Sequence, residues 1–299
     1  MWAGTGTVLL YSLYLLHLLT TSTGLAGLVF PLVISASLNR FGHRATLRGL
    51  SVALFLMSFP LLHFMKPRIP PASNSGRRRF DLKWLYSPTF LIFQLGNILQ
   101  GLGYFLPQIY LPTYASLMEN HAANNNNDLD FRSTLTLVLF NIASVAGCIA
   151  MGAVTDKLHV TTCIAISGLG TALGVFFLWG FSGTGTGLGL LYVFCIVYGL
   201  FAGGYSSAWP GIIRKVLEKN EQRPDGMLIF GFLAAGRGIG NVAAGPLSEA
   251  ILKQKGPVKE GIMARFGYGS EYAPLIVITG VTALLGGASI MGRLKPGLV

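Results

Sequence analysis

A single arginine lies deep inside an apolar stretch near the end of the chain. The stretch runs from about residue 226 to 252, and Arg237 lies about eleven residues into it. A charge at that depth in a membrane costs at least ~2.5 kcal/mol unless it faces a cavity or a partner. Arg237 is therefore a candidate for meeting an anionic ligand or pairing with a carboxylate, and Gly236 and Gly238 would let another backbone come close. The alternative is a structural hydrogen bond to backbone carbonyls or to Asn241.

Other apolar stretches carry polar and aromatic side chains that suit the wall of a ligand cavity. Tyr198, Phe201 and Tyr205 follow an i, i+3, i+7 spacing, which places their rings on one helix face. A few amides and hydroxyls in such a wall would orient a small ligand. The candidate ligand-binding residues are Arg237, Asn97, Gln100, Tyr104, Asn141, Tyr198, Phe201 and Ser206. The competing interpretation is packing for the aromatic stripe and interhelical hydrogen bonding for the amides.

A charged pair, Asp156 and Lys157, follows an apolar stretch that ends near residue 155. At a helix end the carboxylate of Asp156 could cap the next helix and stabilise a closed cytoplasmic gate through a charge-assisted hydrogen bond. The pair is therefore predicted to act in gating. An ordinary solvated turn is the alternative.

Signatures of soluble enzymes are missing from the sequence. There is no phosphate-binding Gly loop with Lys-Ser/Thr, no GxSxG elbow and no HExxH. The five histidines are scattered and the three cysteines lack CxxC spacing, so neither a metal site nor a disulfide framework is predicted. We therefore expect no enzymatic activity and no cofactor.

The composition indicates a protein whose main solvent is lipid. Hydrophobic residues make up 52% and charged residues 11% of the chain, against roughly 25% charged in a soluble domain. The formal charge of +11 would suit nucleic acid, but the Lys and Arg residues lie in short gaps between apolar runs and form no basic footprint. Membrane lipid and a small-molecule solute are therefore the expected partners, and nucleic acid is not. The oligomeric state is left open.

Eight apolar runs are long enough for transmembrane helices, since a bilayer core of about 30 Å requires about 20 residues. The runs are roughly 7–38, 45–65, 88–117, 133–155, 160–181, 186–212, 226–252 and 273–292. The first run is long, and we predict one helix with an apolar extension in preference to two short helices or a signal peptide. The expected fold is an all-α integral membrane bundle of about eight helices.

Lys and Arg are distributed unequally between the two faces of this bundle. Thirteen lie on the side of the C-terminus and eight on the opposite side, with Arg237 inside a helix. The positive-inside rule then places both termini in the cytoplasm. Residues 67–83 are predicted to form a basic cytoplasmic linker, and residues 119–130 a polar loop on the other face. The plasma membrane and an organelle membrane both fit.

Several segments resemble the major facilitator superfamily, and within it the fungal branch of the monocarboxylate-transporter-like family. Residues 27–31 (GLVFP), followed by 40–44 (RFGHR), are similar to that family's fifth helix and its exit turn. Residues 152–157 (GAVTDK) resemble the superfamily's cytoplasmic turn after helix eight. Residues 237–241 (RGIGN) and 245–249 (GPLSE) are similar to the family's eleventh helix.

Counting runs aligns the chain with that family. Three runs separate the 40–44 turn from the 152–157 turn, so the eight runs correspond to helices five to twelve. The resemblance implies a remnant of the N-terminal half in residues 1–66, the linker at 67–83 and a C-terminal six-helix half in 84–299.

The same resemblance implies secondary active transport of a small solute by alternating access. The implied solute is a monocarboxylate or a related organic anion, carried with a proton. Transporters of this kind bind substrate between two halves near the bilayer midplane. The alternative is a truncated, non-transporting product or a regulatory partner of a full-length transporter.

The run 133–155 departs from that family. Proton-coupled members are known for an Asp-x-x-x-Arg pair in this helix, where this chain has Ser144 and Cys148. The usual partners of the proton and the anion are therefore absent from this run. The run 133–155 therefore predicts neither monocarboxylate recognition nor proton coupling. Arg237, on another helix, could substitute for the missing arginine.

We expect cysteine labelling to place loops 67–83 and 214–225 in the cytoplasm and loops 119–130 and 253–271 on the other side. The measurement uses one Cys per loop in a background without native cysteines, and a reagent that does not cross the membrane. Labelling of 67–83 in intact cells would reverse the orientation.

Overall fold

The computed structural model describes residues 3–64, 82–119, 126–183, 187–220, 225–253 and 266–288. Within these ranges the regular structure is helical and no strand occurs. Helices satisfy their own backbone hydrogen bonds, which a chain surrounded by lipid requires. The expected all-α integral membrane fold is confirmed.

The described residues contain eight α-helices. They are α1 Ala3–Phe64, α2 Pro88–Glu119, α3 Asn126–Lys157, α4 Val160–Leu173, α5 Gly187–Gly203, α6 Trp209–Lys219, α7 Gly226–Lys253 and α8 Ala273–Gly287. Short 3-10 turns occur at Lys83–Tyr86, Gly204–Ala208 and Gly267–Gly269, and a π-turn at Gly174–Trp179 continues α4.

Six segments of this described part are long and apolar enough to cross a membrane. They are Arg40–His63, Pro88–Met118, Arg132–Lys157, Val160–Trp179, Leu188–Lys219 and Gly226–Lys253. The helix Ala273–Gly287 is shorter, and the predicted run 273–292 continues past the last described residue. The predicted linker 67–83 lies outside the described ranges except for its last two residues. Of the predicted loop 119–130, residues 120–125 lie outside them, and the part from Asn126 onward is helical because α3 begins there, so the loop is shorter than predicted.

The first two predicted runs are joined in α1. Its backbone departs from helical geometry at Gly42, where φ is 73° and ψ is 168°. Glycine lacks the Cβ that makes a positive φ costly, so it can form this kink. The run 7–38 is thus one helix, as predicted. Residues 51–63, which form the most apolar part of the segment Arg40–His63, are all exposed.

Helix α2 has a central position in the bundle. It packs against α3, α5, α7 and α8, and most extensively against α7 and α8. A helix with neighbours on so many sides can carry polar residues that would be costly on a lipid-facing helix. Asn97 and Gln100 of α2 are accordingly buried against protein, which decides where a site can form.

Helices α3 and α5 approach closely because small residues line their contact. A Cβ on Gly203 would lie 2.6 Å from the Cβ of Ser144, and a Cβ on Gly204 would lie 2.8 Å from the carbonyl oxygen of Gly147. A Cβ on Gly147 would overlap the backbone of Leu200. Small residues at such contacts increase van der Waals packing, which helps transmembrane helices associate in lipid.

We expect Gly147→Ala to destabilise the chain by about 1–3 kcal/mol, because the added methyl overlaps backbone that cannot move aside easily. Gly152→Ala on the same helix is the matched control, since a Cβ there meets nothing within 4 Å. The measurement is the midpoint of thermal unfolding in detergent. Equal midpoints for the two variants would contradict the close α3–α5 contact.

Candidate functional site

A polar stripe runs along one side of α2. Asn97, Gln100 and Tyr104 follow an i, i+3, i+7 spacing, so the stripe lies on one helix face. The Nδ2 of Asn97 donates to the Leu233 carbonyl oxygen at 2.6 Å, which fastens the stripe to α7. Asn97 is fully buried and Gln100 nearly so. The stripe therefore belongs to the bundle interior.

Arg237 of α7 meets this stripe. Its Nη1 donates to the Oε1 of Gln100 at 2.9 Å, and its Cζ lies 4.7 Å from the ring centroid of Tyr104. A cation over an aromatic face is attracted by the ring's quadrupole. The three side chains form one group, which we call the arginine cluster: Arg237, Gln100 and Tyr104.

Glycines bring the two helices of the arginine cluster together. A Cβ on Gly101 would lie 2.9 Å from the Arg237 carbonyl oxygen, and a Cβ on Gly240 would lie 2.9 Å from the Leu102 nitrogen. Gly238, in contrast, meets nothing within 4 Å. The backbones thus approach at Gly101 and Gly240, whereas we predicted the approach at Gly236 and Gly238. At Gly236 the close neighbour is the side-chain amide of Gln94.

The charge of the arginine cluster is not neutralised by an acid within the described residues. The ion pairs found there join Arg214 to Glu218 and Lys253 to Glu249. A guanidinium has five N–H donors, and the contact with Gln100 uses one of them. The cluster therefore presents positive charge and hydrogen-bond donors, which is the chemistry that binds an anion.

Helix α3 also borders Tyr104, with uncharged groups. Tyr104 has Ser144 and Cys148 of α3 as neighbours, together with Gln108 of its own helix. The Sγ of Cys148 donates to the Gly203 carbonyl oxygen at 3.3 Å. Cys148 thus contacts α5, and the cation next to Tyr104 comes from α7.

Two of the remaining predicted ligand-binding residues have packing contacts of their own. Tyr198 is fully buried between Phe140 and Phe194, and its hydroxyl donates to the Gly103 carbonyl oxygen at 3.0 Å. Phe201 packs its ring over Gly170 of α4. These two rings therefore contribute to helix packing.

Two further predicted residues make no contact with the arginine cluster that would place them in it. Asn141 donates to the Leu137 carbonyl oxygen of its own helix at 2.8 Å. Ser206 lies in the 3-10 turn Gly204–Ala208 and is half-buried. Their roles as ligand-binding residues stay predictions.

Gln94 is a member of the α2 stripe that we did not single out from the sequence. Its Nε2 donates to the Phe232 carbonyl oxygen at 2.8 Å, one residue before the carbonyl that Asn97 contacts. The signal was available, because Gln94 precedes Asn97 by three residues and so shares its helix face.

The turn after α3 is arranged differently from the prediction. Asp156 and Lys157 are exposed at the end of α3. The N-cap of α4 is His159, whose Nδ1 accepts from the Thr161 backbone nitrogen at 3.3 Å. The predicted cap by Asp156 is therefore wrong, because the helix begins three residues later than a cap at Asp156 requires. The Nε2 of His159 also lies 2.9 Å from the Nζ of Lys215 in α6.

Comparison with known proteins gives two partial similarities, and no family model matches the chain. The MFS-type transporter pytF of Aspergillus terreus is 28% identical over 139 residues, which are 46% of this chain and 44% of that protein. The MFS-type transporter pynF of Aspergillus niger is 25% identical over 144 residues, which are 48% of this chain and 31% of that protein. Both similarities support the major facilitator superfamily.

The aligned part of the chain spans less than half the length of either relative. Together with the six apolar segments, the two relatives support a multi-pass integral membrane protein and membrane transport in general. The two relatives support no particular substrate or mechanism for this chain. The arginine cluster is the part of the structure on which a proposal for them can be based.

We expect His159→Ala to lower stability by about 1 kcal/mol, because it removes the acceptor for the Thr161 backbone N–H at the start of α4. Asp156→Ala is the control and is expected to change stability by less than about 0.5 kcal/mol, as for most exposed positions. Thermal unfolding in detergent measures both. A larger loss for Asp156→Ala than for His159→Ala would contradict the assignment of the cap.

Proposed function

We propose that the chain takes part in secondary active transport of a small organic anion, with Arg237 as the residue that binds the anion. The observation that carries this proposal is a guanidinium among membrane-crossing helices whose described neighbours are an amide and an aromatic ring. Such a charge is costly in an apolar bundle unless it has a function or a partner. The two relatives are named as transporters, which favours transport over other uses of the charge.

A carboxylate is the favoured class of anion. Guanidinium and carboxylate groups match in geometry and can form two parallel hydrogen bonds. The resemblance to monocarboxylate carriers points in the same direction. Arg237 would supply from α7 the cation that Cys148 does not supply from α3.

Proton coupling of the usual kind is not part of this proposal. The familiar carboxylate of the α3 position is replaced by Ser144, whose hydroxyl donates to the Phe140 carbonyl oxygen at 2.8 Å. A hydroxyl does not take up a proton in the physiological pH range. We therefore expect uptake without strong stimulation by acid.

Alternating access would use the predicted division of the chain. Residues 1–66 and 84–299 would move relative to each other around the linker 67–83, with substrate bound near the midplane. Asp156 and Lys157 are exposed at the end of α3, where a gate closing at the cytoplasmic face would need them. Their role in gating is part of the proposal.

The proposal predicts that lactate stabilises the chain and that Arg237→Met weakens this binding roughly ten- to hundredfold, through the lost charge-assisted hydrogen bonds. Stabilisation is measured as the rise of the unfolding midpoint with lactate concentration, because a ligand that binds the folded state raises it. Arg237→Lys should retain part of the effect, since it keeps the charge and loses the planar donor pair.

Arg214→Met is the matched control, because Arg214 is exposed and pairs with Glu218 one helical turn away. It should leave lactate stabilisation unchanged. Uptake of labelled lactate into vesicles containing the chain, at acidic and neutral pH, tests transport itself. Full stabilisation and uptake by Arg237→Met, or strong stimulation of uptake by acid, would contradict the proposal.

A further inference from the structure

The long segment Leu188–Lys219 changes its helical geometry in the middle. Helix α5 ends at Gly203, the 3-10 turn Gly204–Ala208 follows, and α6 begins at Trp209. A 3-10 turn in the middle of a long helix often marks a hinge, because its i+3 hydrogen bonds have poorer geometry than the i+4 bonds around it. We call Gly204–Ala208 the α5–α6 turn.

Three consecutive carbonyl oxygens just before this turn accept hydrogen bonds from side chains of three different helices. Ser167 of α4 donates to Phe201 at 2.7 Å, Gln100 of α2 to Ala202 at 3.1 Å, and Cys148 of α3 to Gly203 at 3.3 Å. Where i+4 bonding gives way to i+3 bonding, carbonyls lose well-aligned partners and external donors compensate. The conformation of the α5–α6 turn therefore depends on its neighbours.

Of these three donors, Gln100 also accepts a hydrogen bond from Arg237. Its Nε2 donates to Ala202 of α5, and its Oε1 accepts from Nη1 of Arg237 in α7. One amide group thus joins α2, α5 and α7. Hydrogen bonds in such a chain polarise one another, so the bond to Arg237 strengthens the donor that contacts Ala202.

We propose that Gln100 is a positioning residue that links the occupancy of Arg237 to the conformation of the α5–α6 turn. The proposal rests on the proposed function for its ligand, an organic anion. An anion bound to the Arg237 guanidinium offsets its positive charge, so the bond from Nη1 to Oε1 of Gln100 weakens even where the anion uses the other donors. The weakened bond from Gln100 to Ala202 then loosens the turn, and ligand binding is converted into movement of a helix.

Gln94 offers a matched comparison for this role. It is on the same face of α2 and also donates its amide to a helix carbonyl, that of Phe232 in α7 at 2.8 Å. That bond joins α2 to α7 and involves no carbonyl oxygen of α5. If amides of α2 only fasten helices together, loss of Gln94 and loss of Gln100 should affect the turn alike.

The test measures the rate at which a thiol reagent labels Ser207→Cys, a half-buried position within the turn. The chain without this substitution gives the labelling of Cys148, Cys163 and Cys195, which is subtracted. Without ligand, Gln100→Leu should raise the labelling rate at least about threefold, and Gln94→Leu should leave it within about twofold. Equal rates in the two variants would overturn the proposal.

Gln100→Glu tests the Nε2 donor of Gln100 separately from its Oε1 acceptor. Its carboxylate can pair with Arg237 but cannot donate to the Ala202 carbonyl. We expect fast labelling of the turn, as in Gln100→Leu, together with loss of lactate stabilisation. Slow labelling in Gln100→Glu would contradict the proposed role of the Nε2 donor of Gln100. If Gln100→Leu fails to fold, the labelling rate of Gln100→Glu still tests this role.

Lactate is then added to test whether ligand binding changes the conformation of the α5–α6 turn. It should change the labelling rate about twofold or more when Gln100 is present, and not in Gln100→Leu. If lactate changes neither labelling nor the unfolding midpoint of the unsubstituted chain, the proposed function fails, while the ligand-free comparison still decides the role of Gln100. If lactate binds and its effect on labelling persists in Gln100→Leu, the proposed link is wrong.

Discussion

A guanidinium inside a bundle of apolar helices must be solvated by the protein itself, and this requirement explains much of the arrangement around Arg237. Water would otherwise supply its hydrogen bonds, and the cost of losing water is several kcal/mol for a charge at the membrane centre. Gln100 provides an acceptor and Tyr104 a ring face. Both come from α2, whose polar stripe is possible because the helix is surrounded by other helices.

Close helix contacts make this solvation possible. An arginine side chain on α7 meets Gln100 on α2 because Gly101 and Gly240 remove the methyl groups that would separate the two backbones. The contact between α3 and α5 follows the same principle at Gly147, Gly203 and Gly204. In lipid such packing replaces the hydrophobic driving force that operates in water.

The packing of α3 gives Cys148 a structural role. Its thiol donates to the Gly203 carbonyl at the point where α5 changes to the 3-10 turn. A long cationic side chain at position 148 would lose this hydrogen bond. Cys148 of α3 therefore contributes a contact between helices, and Arg237 of α7 contributes the positive charge. Both residues lie next to Tyr104.

The sequence by itself determined the helical membrane fold and most of the membrane-crossing segments, and it singled out Arg237 as a candidate ligand-binding residue. These follow from the length of apolar runs and the cost of a buried charge, which are properties of a local stretch. The tertiary structure alone decided that Gln100 and Tyr104 are the partners of Arg237, that Tyr198 and Phe201 make packing contacts, and that His159 caps α4. The residues Arg237 and Gln100 are 137 positions apart, and which faces of two helices meet depends on the packing of all their neighbours.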